Sequence, residues 1–197
     1  MARAQAPVRT VAPAATPVSL AEAKEHLRVD HTAEDTLIQI YLDAAVSALD
    51  GWSGQLGRAL VTQTWRQDFD AFPPSDMLRL PFPDAQSVSV AYTDENGSDQ
   101  TLATSEYHLV QDYTSSAIEL AENSTWPNTD DVPDAVRVTT VVGYGDAADV
   151  PADLKAAILI HIGHMYENRE SVSMGVSPAT TPLAYNFLIS KYRRLGG

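Results

Sequence analysis

Residues 32–69 read TAEDTLIQIYLDAAVSALDGWSGQLGRALVTQTWRQDF, and the hydrophobic period changes inside this stretch. Leu37, Ile38, Tyr41, Leu42, Ala45, Val46, Leu49 and Trp52 recur at spacings of three and four, which gives a helix opened by Thr32 and Asp35 one apolar face. Gly51, Gly54 and Gly57 end that helix. From Leu60 the spacing becomes two. Val61, Gln63, Trp65, Gln67 and Phe69 share one side of a strand and Thr62, Thr64, Arg66 and Asp68 the other, until Pro73 and Pro74 stop it.

The same two periods organise the rest of the chain. Before residue 32, Ser19 and Glu22 have the spacing of a capping box and open a short helix that runs to about Val29. Residues 1–18, broken by Pro7, Pro13 and Pro17, predict a flexible N-terminal arm; without a continuous apolar run they do not read as a secretory leader. Beyond Met77 come short strands. Val88, Val90 and Tyr92 precede Asn96-Gly97, whose positive φ values suit a tight hairpin turn. Tyr107 to Val110, Ala117 to Leu120 and Val136 to Val142 follow, the last closed by Gly143-Tyr144-Gly145. Pro151 then starts a helix whose Leu154, Ile158, Leu159, Ile160, Ile162, Met165 and Tyr166 cover most of its circumference, as expected of a helix central to a core. After a loop over Ser171 to Thr181, a last helix begins at Thr181 and Pro182 and carries Leu183, Phe187, Leu188, Tyr192 and Leu195 as its apolar set.

The pattern predicts an α+β fold: a four-helix core of two N-terminal and two C-terminal helices, with a small antiparallel β subdomain inserted between the pairs. The expected boundaries are 1–18 for the arm, 19–58 and 151–195 for the helical core, and 59–150 for the β-rich insertion. Charge follows the same division. Of 13 basic and 26 acidic residues in 197, the insertion holds 3 and 16, so most of the net charge of −13 lies there. That balance excludes most nucleic-acid binders, because phosphate binding depends on Lys and Arg displacing counterions. With no cysteine, thiolate nucleophiles, disulfides and cysteine metal sites are excluded too. No stretch reaches the roughly 18 apolar residues that span a bilayer.

Three patterns bear on chemistry. His161, His164 and Glu167, three apart on one helix, put two imidazoles and a carboxylate on neighbouring positions, so a metal-dependent hydrolase is the alternative reading from the enzyme class. The order is not His-Glu-x-x-His and no second helix marks a further ligand, so local hydrogen bonding explains the histidines better. The acidic pairs Asp68 with Asp70, Asp130 with Asp131 and Asp146 with Asp149 sit where turns favour Asp. Trp126 beside Pro127 suits either a carbohydrate-binding platform or a hydrophobic plug, and the plug is the commoner use. No nucleophile elbow or phosphate loop is present. On residues alone the expectation is a structural protein, not an enzyme, with no cofactor and no metal site.

A wider set of motifs resembles the phage head-tail connector (adaptor) proteins of long-tailed phages and phage-like gene transfer agents. It begins with Val18-Ser19-Leu20-Ala21-Glu22-Ala23-Lys24 and Glu34-Asp35-Thr36-Leu37-Ile38, and continues through Gly57-Arg58-Ala59-Leu60-Val61-Thr62-Gln63-Thr64-Trp65 and Leu80-Pro81-Phe82-Pro83. Trp126-Pro127, Ala135-Val136-Arg137-Val138, Gly143-Tyr144-Gly145 before Val150-Pro151, and Tyr166-Glu167-Asn168-Arg169-Glu170 complete it. The chain departs from the pattern by extra residues around Ser53 to Gln55. The resemblance implies a virion structural protein without catalytic residues: a homo-oligomeric closed ring, a dodecamer, at the head-tail interface. It would dock beneath the portal protein, receive a tail-side stopper or tail terminator protein, and let DNA pass without specific binding and without any membrane. Assembly in the bacterial cytoplasm is expected.

The C-terminal helix is the expected portal-binding surface. Lys191, Arg193 and Arg194 place three basic residues within four positions, beside Tyr192 and Leu195 and one turn beyond Phe187, and Arg with aromatic anchors is enriched at interface hot spots.

Overall fold

Why the period changes near residue 60 is visible in the computed structural model, which describes residues 3–112, 115–168 and 183–194. In chain order these residues form β1 (Val8–Val11), α1 (Leu20–Leu27), α2 (Asp35–Leu49), β2 (Gln63–Phe69), β3 (Met77–Arg79), β4 (Ala85–Thr93), β5 (Asp99–Thr101), β6 (Tyr107–Gln111), β7 (Ser116–Leu120), β8 (Val136–Val142), α3 (Ala152–Glu167) and α4 (Leu183–Ser190). The fold is α+β, with four helices and two antiparallel sheets among the described residues. The chain divides into two compact units. A β-rich one comprises Met1–Ala14 and Thr62–Tyr144, and a helical one Ala15–Val61 and Gly145–Gly197.

In the β-rich unit one sheet has the order β1-β2-β8-β4-β5 and the other β3-β7-β6. β8 lies at the centre of the first, paired along its whole length with β2 on one side and with β4 on the other. Its alternation explains the register: Val136, Val138, Thr140 and Val142 are buried while Arg137, Thr139 and Val141 are half-buried on the opposite face. A shift by one residue would exchange the two sets. The two sheets are joined by side chains. Tyr107 Oη donates to the Val88 carbonyl at 3.1 Å, and the buried Ser116 hydroxyl donates to the Pro83 carbonyl while accepting from Ala85 N at 3.3 Å. Trp65 and Phe82 rings meet at 5.0 Å, and Phe69, Leu78, Val90 and Ile118 fill the interior.

Two expectations are corrected here. Part of residues 1–18, read as a flexible arm, is a strand: Val8, Arg9 and Val11 pair with Arg66, Trp65 and Thr64, and Gln5 N donates to the Asp68 carbonyl at 2.9 Å. All four β1 residues are exposed, so they carry no hydrophobic period, and the backbone ladder that holds them is invisible in composition. Pro7 is tolerated because it precedes the strand, which lies at the sheet edge. The Asn96-Gly97 hairpin joins β4 to β5 as expected, but Gly97 alone has positive φ (+75°). Asp94 closes the wider loop, its carboxylate accepting from Asn96 N at 2.9 Å and Ser98 N at 3.0 Å.

In the helical unit the capping box forms as read. Ser19 Oγ accepts from Glu22 N at 3.2 Å, and the Glu22 carboxylate accepts from Ser19 N at 2.7 Å. α1 stops at Leu27, short of Val29, because Arg28 turns left-handed (φ 58°). α2 buries Ile38, Leu42, Ala45 and Leu49, and α3 buries Leu154, Ala157, Ile158 and Ile162. α3 packs against α1, α2 and α4, which is why apolar residues run round most of its circumference. Lys24 pairs with Asp35 at 2.5 Å to tie α1 to α2, and the Tyr166 hydroxyl donates to Glu34 to tie α3 to the start of α2.

α4 docks on a face other than the expected one. Tyr185 and Ile189 are buried, whereas Leu183 and Phe187 are 89% and 79% exposed. Both pairs are four apart, so periodicity alone offers two apolar faces, and the surface of α3 selects between them. The expected start of this helix at Thr181 and Pro182, and the preceding loop, lie outside the described residues.

Candidate functional site

The six residues expected to form the portal-binding surface fall into three groups. Lys191, Tyr192 and Arg194 are bound to the body of the helical unit. Lys191 Nζ lies 2.5 Å from Asp153 Oδ2, in the first turn of α3, and the Tyr192 hydroxyl donates to the same carboxylate oxygen at 3.4 Å. The hydrogen bond from Lys191 holds the Asp153 carboxyl below the usual carboxylate range, and Asp153 in turn raises Lys191. Arg58, only 4% exposed, donates from Nε to the Tyr192 carbonyl at 2.9 Å. Arg194 N donates to the Leu56 carbonyl at 2.9 Å, and its guanidinium lies 5.8 Å from the centre of the Trp52 ring.

Residues 52–58, which include the extra residues around Ser53 to Gln55, therefore cradle the end of the chain. Gln55 N caps back onto the Ala48 carbonyl at 2.9 Å and buries Leu56 beneath the loop. Gly57 takes φ +60°, and a Cβ there would stand 3.3 Å from Arg194 Cβ. Arg193 is exposed beyond this clasp. Phe187, expected with the apolar set of the last helix, is 79% exposed on the outer face of α4. Leu195 lies outside the described residues. The clasp partners Trp52, Leu56, Arg58 and Asp153 carry no local signal, because they are brought to residues 191–194 from two other segments.

The histidine, tryptophan and acidic patterns are placed elsewhere. The His161 ring meets the Tyr185 ring edge-on at 5.2 Å, with its buried Nδ1 unpartnered among the described residues, and burial followed by the nearby His164 lowers its pKa. The His164 carbonyl accepts from Asn168 Nδ2 at 2.9 Å. Among the described residues no group of three His, Asp or Glu side chains could hold a metal ion. Trp126 stacks on Phe72 at 4.8 Å and donates to the Ser75 carbonyl at 2.7 Å, the arrangement of a plug. Asp146 and Asp149 close a single 3-10 turn by a reciprocal capping box, and Asp68 pairs with Arg66 at 2.8 Å. Among the described residues, no helix is long and apolar enough to cross a membrane.

The geometry is thus that of a protein whose polar groups fasten segments together. The sequence model described as Phage gp6-like head-tail connector protein matches residues 17–122, more than half of the chain. The chain belongs to the phage gp6-like head-tail connector family. This connector matches a chain in the virion of a native gene transfer agent particle with a TM-score of 0.79 and 24% identity, over 98% of this chain and 97% of that one. A chain in the neck of an empty gene transfer agent particle, computed with C6 symmetry, matches with a TM-score of 0.76 and 26% identity over the same shares. A third, in the neck of the native particle computed with C12 symmetry, gives 0.76 and 22% over the same shares again. No curated protein sequence matches the connector. Family membership makes its role structural: a head-tail connector of a phage or phage-like particle.

Proposed function

We propose that this connector forms a closed ring between the portal protein and a tail-side stopper or tail terminator of a phage-like particle, and that DNA passes through its lumen. The observation that carries the reading is the family match together with the end-to-end likeness to a chain in a gene transfer agent neck solved with cyclic symmetry. Rings of one chain arise from head-to-tail contacts that close, and a dodecamer is the expected size. The helical unit, with α3 at its centre, serves as the ring-forming core, and the β-rich unit as its appendage. The latter carries 5 basic and 14 acidic residues, a balance that repels DNA phosphates and leaves a passing genome nothing to adhere to.

The portal-facing surface in this reading is the C-terminal segment, with Arg193 exposed beyond the clasp of Lys191, Tyr192 and Arg194. Removing residues 192–197 is a poor test, since it strips the buried Arg58 of its carbonyl acceptor. Arg193→Glu reverses the exposed charge and touches nothing in the clasp. It is expected to leave a folded subunit that joins portal-containing heads at least tenfold less efficiently; normal incorporation removes the chain end from the portal contact.

Imaging of purified particles tests the whole. A symmetric ring of this chain between portal and tail is expected, and its location in the capsid shell or at the tail tip would defeat the reading. A gel-shift assay adds a second check: at near-physiological salt the isolated chain is expected not to retard duplex DNA.

A further inference from the structure

We propose that neighbouring copies in the ring meet through two different helix faces of the helical unit: the outer stripe of α4, Leu183 and Phe187, on one copy, and the outer stripe of α2, centred on Ile40, on the next. This rests on the ring reading above and names the surfaces that build it.

The starting observation is where the exposed apolar side chains of the two outer helices lie. At 100° per residue, Leu183 and Phe187 stand on the side of α4 opposite to the buried Tyr185 and Ile189. On α2, Ile40 is 57% exposed and stands opposite to Ile38, Leu42, Ala45 and Leu49, with the exposed Ala44 one turn further on. Both stripes therefore face away from the core of their own unit. α2 and α4 each pack against α3, and neither is a main neighbour of the other. The two stripes thus belong to two helices that pack on α3 separately.

A closed ring of one chain requires two unlike surfaces on each copy, one to give and one to receive. Two unlike outward stripes on separate helices of one unit meet that requirement; a twofold dimer would need only one. Charge favours a second copy as occupant and this unit as the place. The β-rich unit has 5 basic against 14 acidic residues, so copies repel one another there, whereas the helical unit has 8 against 12. One such contact is small and weak alone, and ring closure, which makes every copy hold two neighbours, supplies the avidity. Phe187 then belongs to the neighbouring copy and not to the portal.

The absence of cysteine allows a direct test. Particles are produced with Ile40→Cys, with Phe187→Cys, and with both, and are treated with a short bismaleimide before denaturing electrophoresis. The double variant is expected to give a ladder of multimers, because each copy is joined on both sides. Each single variant is expected to stay monomeric, and a mixture of the two single variants to stop at dimers. Dimers from one single variant alone would show a twofold contact and overturn the proposal. No ladder from the double variant, in particles whose imaging still shows a ring of this chain, overturns the pairing and leaves the ring reading standing; no ring in the images overturns both. Both sites are exposed, and circular dichroism of the purified variants checks that each retains its helices.

Discussion

The β-rich and helical units hold distant parts of the chain together in different ways. In the β-rich unit β8 is paired along its length with both β2 and β4, so closure is spread over a continuous ladder of backbone bonds. In the helical unit it is concentrated in apolar faces and a few side-chain ties, such as Arg58 to Tyr192, 134 positions apart, and Tyr166 to Glu34, 132 apart. A ladder forgives the loss of one exposed side chain; a clasp made of a few atoms does not. The unit proposed to build the ring is therefore the one more exposed to single substitutions.

The largest effect that tests this contrast is expected in the core of the helical unit. Ile158→Ala removes a fully buried side chain from the helix that touches the other three and should cost about 2–5 kcal/mol in urea unfolding followed at 222 nm. Next comes the comparison of two arginines. Arg58→Met deprives the Tyr192 carbonyl of its buried donor and should cost about 1–3 kcal/mol, while Arg137→Met, which breaks an exposed pair with Asp99, should leave the midpoint unmoved. Equal effects would erase the distinction between clasp and ladder. Smaller still, Ser19→Ala in the capping box should cost about 1 kcal/mol, as should Gly97→Ala in the hairpin, where only the positive φ and no neighbouring atom resists a side chain.

The smallest effect is one of pH. Burial, then His164, lowers the pKa of His161 below its ordinary value, and the group facing it from α4 is Tyr185, itself held neutral by burial. In the range between the lowered value and the ordinary one near 6.5, the unfolded chain binds more protons than the folded one. Stability from this site is thus complete above the ordinary histidine range and declines as the pH falls below it. His161→Phe should flatten that part of the profile, and an unchanged slope would assign it to other groups.

Much of the architecture was legible because it is written in period and punctuation. The switch from three-to-four spacing through Trp52 to alternation from Leu60 separated helix from strand, Ser19 and Glu22 marked a helix start, and the even hydrophobicity of residues 154–166 announced a helix with neighbours on several sides. The candidate site was legible only as a composition: a Phe, a Tyr and a Leu beside a basic cluster at residues 191–194. Which of its residues are free could not be read, because Asp153, Arg58 and Trp52 claim Lys191, Tyr192 and Arg194 from far away in sequence.

The sequence by itself determined the α+β class, the acidic character of the inserted segment and the connector resemblance, since these depend on local periodicity, charge count and motif order. Only the tertiary structure decided that residues 8–11 form an edge strand, that Tyr185 and Ile189 rather than Leu183 and Phe187 face the core, and that the chain end is clasped. The physical reason is common to all three. Each is a choice between local arrangements of nearly equal energy, two apolar faces of one short helix or a free against a paired backbone, and the deciding contribution comes from atoms that the chain delivers from elsewhere.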